Sequence, residues 1–194
     1  MNADRIKNRG CMMNGKNMIK MLRKVVLSIS CGVLIGSMTG CHFSFRADYL
    51  ARSNRSDDEQ SEVTKQSIID ALEARDAEGL EALFSKYALE NAEDLDEKIE
   101  ELMDFYPGCN GGFEGGCSTL EGTDYGVRTK VLNGTYTVTN DNQEYYLIFT
   151  IQIRNDEEPE KVGLHLIEVV TEETMPEGFK FKNQKDAPGI YVLE

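Results

Sequence analysis

The sequence predicts an α+β domain in which N-terminal helices pack on one face of a curved antiparallel β-sheet. Three observations carry that expectation. Apolar residues recur at helical spacing between Ser61 and Tyr106, Pro107-Gly108 then stops any helix, and from Val131 onward apolar and polar residues alternate.

Each element follows in turn. Val63, Ile68, Ile69 and Leu72 make the apolar stripe of a first helix that begins near Ser61 and ends near Arg75. Asp76 suits the N-cap of a short second helix bearing Leu80, Leu83 and Phe84, and Tyr87, Ala88 and Leu89 prolong the apolar character. A third helix from Asp94 carries Leu95, Ile99, Leu102, Met103 and Tyr106. Its other face, Asp96, Glu97, Glu100, Glu101 and Asp104, lacks the Asp and Gly rhythm of a calcium loop and reads as solvated. Val131–Thr139 alternates with Leu132, Tyr136 and Val138 on one face and Thr135, Thr137 and Thr139 on the other. After an Asn140-Asp141-Asn142 turn, Glu144–Arg154 places Tyr145, Leu147, Phe149, Ile151 and Ile153 on a core face and leaves a mixed opposite face. Val162–Thr171 is a third strand, with Phe179–Phe181 and Ile190–Leu193 as short candidates.

The first 40 residues read as targeting. Seven basic residues and one acid give them a net charge of +6. The remaining 154 residues then hold 14 basic and 33 acidic side chains, a net of −19 within a whole-chain charge of −13. Val25–Gly40 is apolar and uncharged over 16 residues, whereas a stable membrane span needs roughly 20. A basic stretch, an apolar block and small residues in that order are the three parts of a signal peptide. Met18 or Met21 gives a leader of more ordinary length. Ser37-Met38-Thr39-Gly40-Cys41 resembles the lipobox of bacterial prolipoproteins, which implies cleavage before Cys41 and a diacylglycerol on its sulfur. The expected organisation is a signal peptide over 1–40, a flexible polar tether over 41–60 and a single domain over 61–194. The protein is then held on the extracytoplasmic side of the cell membrane by Cys41. A domain this acidic repels nucleic acid and anionic headgroups, so nucleic-acid partners are excluded.

The order of elements, with the stretch Ile68–Ser85, looks like the nuclear transport factor 2-like superfamily, whose cystatin-like and ketosteroid-isomerase relatives wrap a curved sheet around a helix. Three patches, Asp124–Lys130, Val162–Leu166 and Pro188–Val192, resemble an uncharacterised family of Gram-positive lipoproteins, domain of unknown function 5104, over residues 61–194. The resemblance implies a cup-shaped fold and an envelope location. It brings no activity and no catalytic residue.

Cys109-Asn110-Gly111-Gly112-Phe113-Glu114-Gly115-Gly116-Cys117 reads as a glycine-rich loop flanked by two cysteines, either a structural disulfide in an oxidising compartment or two free thiols. It lacks the Cys-x-x-Cys spacing of redox catalysis, and with so few histidines no metal site is expected. His165 lies between Leu164 and Leu166, as a general base facing a pocket or as an ordinary strand residue. Tyr125, Arg128, Tyr136, His165 and Tyr191 are the candidate pocket residues. No phosphate loop, catalytic triad or zinc motif occurs and no cofactor is called for. The expected function is therefore non-enzymatic binding of a small molecule, peptide or envelope component. Assembly through the open sheet face or an edge is the alternative, and proton transfer of the ketosteroid-isomerase type by a buried acid and a tyrosine is a third.

Overall fold

Helix formation starts at Ser56, whose hydroxyl accepts the Glu59 amide (3.2 Å) while the Glu59 carboxylate accepts the Ser56 amide (3.0 Å). This reciprocal cap opens the first helix in a computed structural model that describes residues 47, 49–51, 54–106, 108–109, 112–140, 143–180 and 185–193. The leader and Cys41 lie outside the described residues. The helices are α1 (Asp57–Ala74), α2 (Ala77–Glu81), α3 (Lys86–Asn91) and α4 (Leu95–Phe105). The strands are β1 (Gly112–Asp124), β2 (Val127–Asn140), β3 (Gln143–Asn155), β4 (Gly163–Thr171) and β5 (Gly189–Leu193), with a 3-10 turn at Pro159–Lys161 before β4.

The helix starts earlier than composition indicates. Residues 57–60, assigned above to the tether, are helical, the Gln60 amide donates to the Leu50 carbonyl, and Leu50 is wholly buried. Ser56→Ala removes the cap and is expected to lower stability by about 1 kcal/mol. The urea midpoint measures this, and a change below a few tenths of a kcal/mol would show the cap to be idle.

The five strands lie in the order β1-β2-β3-β4-β5. Residues paired across an antiparallel ladder share a face, so Leu132, Tyr136 and Val138 of β2 sit beside Ile151, Leu147 and Tyr145 of β3. Leu164, Ile167 and Val169 of β4 and Ile190 of β5 extend that face. Ile68 and Leu72 of α1, Leu80 of α2 and Ile99, Leu102 and Met103 of α4 close over it as one core. Each such buried side chain contributes about 1.5–3 kcal/mol through removal of apolar surface from water. The outer face is also dry around β3 and β4, where Ile148, Leu166, Glu168 and Val170 are wholly buried.

The α+β class stands, with three differences in detail. The glycine-rich segment is strand rather than loop: β1 pairs with β2 from Gly112 to Asp124. The sheet is not antiparallel throughout, because β5 runs parallel to β4. The chain must therefore recross the sheet between them. Phe179 and Lys180 are not strand, and the rest of that short candidate lies outside the described residues.

Cys109 and Cys117 stand as two free thiols, one of the two readings that the sequence leaves open. The Cys109 sulfur lies 3.5 Å from the Gly112 carbonyl oxygen. From there the chain runs as extended strand to Cys117 at about 3.3 Å per residue, which carries the second sulfur out of bonding range. The Cys117 thiol donates to the Asp58 carboxylate at 3.7 Å, and burial raises its pKa, so it stays protonated.

Candidate functional site

The site residues expected from sequence do not converge. Tyr125 is fully exposed at the β1–β2 hairpin tip with φ 46°. Arg128 is bound to Asp156 (3.2 Å), a carboxylate that Arg154 (2.7 Å) and then Arg128 hold below the usual range. Tyr136 is in the core, stacked on Phe149 with ring centroids 6.1 Å apart, and shares a hydrogen bond of 2.7 Å with Ser61. Burial pushes its hydroxyl up to about 12.

His165 and Tyr191 are brought to the same short segment. His165 donates Nε2–H to the Asp186 carbonyl (3.1 Å), since a carbonyl can only accept. The Tyr191 hydroxyl donates to the Ala187 carbonyl (3.0 Å). Residues 185–188 therefore run between two cavities, one of about 420 Å³ beside His165 and one of about 350 Å³ beside Tyr191.

A bulge sets the His165 position. Thr150 pairs with Leu166 and Ile151 with Leu164, so His165 is the extra residue and has no opposite number on β3. The start of β4 is clamped by Ser85 N to Leu164 O (2.8 Å) and Leu164 N to Leu83 O (3.0 Å). Gly163 permits that approach: its φ is +127°, and a Cβ there would lie 3.0 Å from Ser85 backbone atoms. The clamp brings α3 alongside, and Tyr87 stacks on the His165 ring at 6.2 Å and 17°.

Cations gather around this stack. Lys161, delivered by the 3-10 turn, lies 4.9 Å over the Tyr87 ring and 2.7 Å from Glu158, whose hydrogen bond raises the lysine's pKa. Lys185 reaches the same groove and lies 5.3 Å over the Tyr191 ring. The floor is polar: Thr150 donates to Asn133 (2.7 Å), Gln152 lies beside it, and buried Asn155 accepts the amides of Glu157 (3.1 Å) and Glu158 (2.8 Å). An aromatic platform with cations at its rim suits a flat polar group carrying negative charge.

The His165 ring's hydrogen-bond partner is a main-chain carbonyl rather than a carboxylate. Among the described residues, no group of three or more His, Cys, Asp and Glu is placed to hold a metal ion. Sequence reading passed over Glu168, a wholly buried carboxyl on β4 paired in register with Tyr191. Burial, then Glu93 and Glu168, raise the Tyr191 hydroxyl. Only the unbroken apolar run around Glu168 marks it in the sequence.

A family model described as Domain of unknown function (DUF5104) matches residues 67–172, from α1 through β4. Comparison with curated proteins finds no match.

Proposed function

The chain belongs to the DUF5104 family, and on that premise we propose an extracytoplasmic lipoprotein whose domain binds a small polar or anionic molecule in the His165 groove. The location rests on the +6 leader, the uncharged block Val25–Gly40 and Cys41 behind Gly40. A diacylated cysteine supplies two chains, enough for stable anchoring. Helices covering one face of a bulged sheet support a nuclear transport factor 2-like form. In this reading the helix–sheet interface is filled by Tyr136, Phe149, Leu147 and their neighbours, so the ligand is taken outside it.

One observation carries the binding role: Lys161 lies over Tyr87 of a Tyr87–His165 stack and Lys185 lines the same groove in a domain whose net charge is −19. Local cations in an acidic protein attract a ligand that the rest of the surface repels. The reading is non-enzymatic, because the groove presents binding groups without an activated nucleophile or base.

Thermal shift against small carboxylated, phosphorylated and sugar-acid compounds tests it. A ligand at about a hundred times its Kd adds about 2.7 kcal/mol, a rise of several degrees. Replacing Lys161 and Lys185 with alanine together is expected to remove the rise; a shift that survives both changes places the ligand elsewhere. Cys41→Ser is expected to move the protein from the membrane fraction to the soluble one, and a mature N-terminus other than acylated Cys41 overturns the anchor.

A further inference from the structure

The sheet begins with an edge that the groove does not use. β1 pairs with β2 from Gly112 to Asp124, and no strand among the described residues pairs with its other side. Such an edge presents a row of backbone donors and acceptors, which proteins ordinarily protect with lysine, proline, a bulge or a short strand. β1 has none of these protections. It runs 13 residues without Lys, Arg or Pro, and its register against β2 never shifts.

Its side chains favour an extended partner. Gly116 has no positive φ, and a Cβ there would meet nothing within 4 Å, so internal packing does not require glycine. A missing side chain on a strand leaves room for another backbone to approach. Leu120 is 68% exposed and Tyr125, at the hairpin end, is 101% exposed. Glu114, Glu121 and Asp124 are exposed on the same strand with no basic residue between them. Two copies pairing by this edge would set these acids against each other on domains that each carry −19. An extended segment bearing lysine or arginine meets no such repulsion.

We propose that the open edge of β1 docks an extended, basic segment of a partner protein, which joins the sheet as an added strand with Leu120 and Tyr125 as its apolar contacts. Main-chain hydrogen bonds supply the affinity and the acids select the charge. The site is separate from the His165 groove and does not depend on it.

The test uses the full-length chain in detergent and a synthetic peptide alternating lysine and valine, read by fluorescence anisotropy and amide hydrogen exchange. Saturable binding with slowed exchange over residues 112–124 is expected. Combining Glu114→Lys, Glu121→Lys and Asp124→Lys should weaken it at least about tenfold. Methylating alternate peptide amides to block one hydrogen-bonding edge should abolish it, a control that leaves the protein untouched. Equal binding by the methylated peptide would reduce the effect to bulk charge and overturn added-strand docking. Protection at the His165 groove instead of β1 would also overturn it, as would sedimentation showing the chain pairing with itself through β1.

Discussion

Replacing Gly134 with alanine is expected to lower unfolding free energy by about 3 kcal/mol, with overpacking as the cause. Gly134 sits in β2 directly opposite Phe149 of β3, on the core face. A Cβ there would lie 2.7 Å from Cε2 of the Phe149 ring, and Cζ would be closer still. A flexible side chain could yield, but this ring is wholly buried and stacked on Tyr136. Tyr136 is itself held by Ser61, with the Lys65 ammonium 4.7 Å over its ring. Movement at Phe149 therefore disturbs the contact between α1 and the sheet. Phe149→Leu in the same chain should recover at least about 1 kcal/mol, because the shorter side chain vacates the space the methyl needs. Urea unfolding of the two single variants and the double variant measures the coupling. A Gly134→Ala variant within about 0.5 kcal/mol of the parent would mean that the ring is not pinned.

The same contact shows why sequence reading reached the fold more readily than the site. β3 was legible because Tyr145, Leu147, Phe149, Ile151 and Ile153 alternate without interruption and all are buried. β1 was not, because glycines occupy positions where an alternating strand shows side chains. Yet Gly115 is needed there: a Cβ would run into the Thr135 carbonyl and lie 2.7 Å from the Tyr136 Cα. Only the first turn of α1, residues 57–60, reads as tether, and the polar character continues into the part that reads as helix. Ser61, Thr64 and Lys65 are polar yet buried, and the Lys65 ammonium lies between the Phe113 and Tyr136 rings at 4.8 and 4.7 Å. A cation over two aromatic faces substitutes for an apolar residue in a way periodicity does not register.

The groove was harder to foresee than any element. His165 was a candidate, but its neighbours Tyr87, Lys161 and Lys185 come from a helix, a 3-10 turn and a strand connection. What unites them is the bulge at Thr150/Ile151 and the approach of Gly163 to Ser85. Neither carries a fixed spacing. Tyr125 and Arg128 drew notice within a patch shared with a family, and they lie at a hairpin turn and in a surface ion pair. A recognisable patch can thus mark a turn as readily as a site.

Alkali should unfold the domain more steeply than its acidic surface alone would dictate. Tyr136 and Tyr145 are each 2% exposed. Burial dominates both shifts, pushing Tyr136 up to about 12 and Tyr145 further above its ordinary value. The groups around Tyr136 are Ser61, Glu62, Lys65 and Cys117, and those around Tyr145 are Tyr106, Cys109 and Glu73. A phenol with a raised folded pKa holds its proton longer when folded, so the unfolded chain releases it first as pH climbs. The stability linked to these tyrosines is whole below the unfolded value of 10.0 and is lost as pH rises through the folded values. Each tyrosine contributes up to about 1.4 kcal/mol per pH unit in that window, so the pair removes roughly 2–3 kcal/mol between about pH 10 and 11. Lys130, raised by its hydrogen bond to Asp57, acts in the same direction as it loses its charge. Urea midpoints measured across this range give the slope. Tyr136→Phe should cost about 1 kcal/mol at neutral pH through loss of the Ser61 hydrogen bond, and it should also flatten the alkaline slope by one group. Equal slopes in parent and variant would mean that Tyr136 ionises as freely in the folded chain as in the unfolded one, which its contacts with Ser61 and Phe149 are placed to prevent.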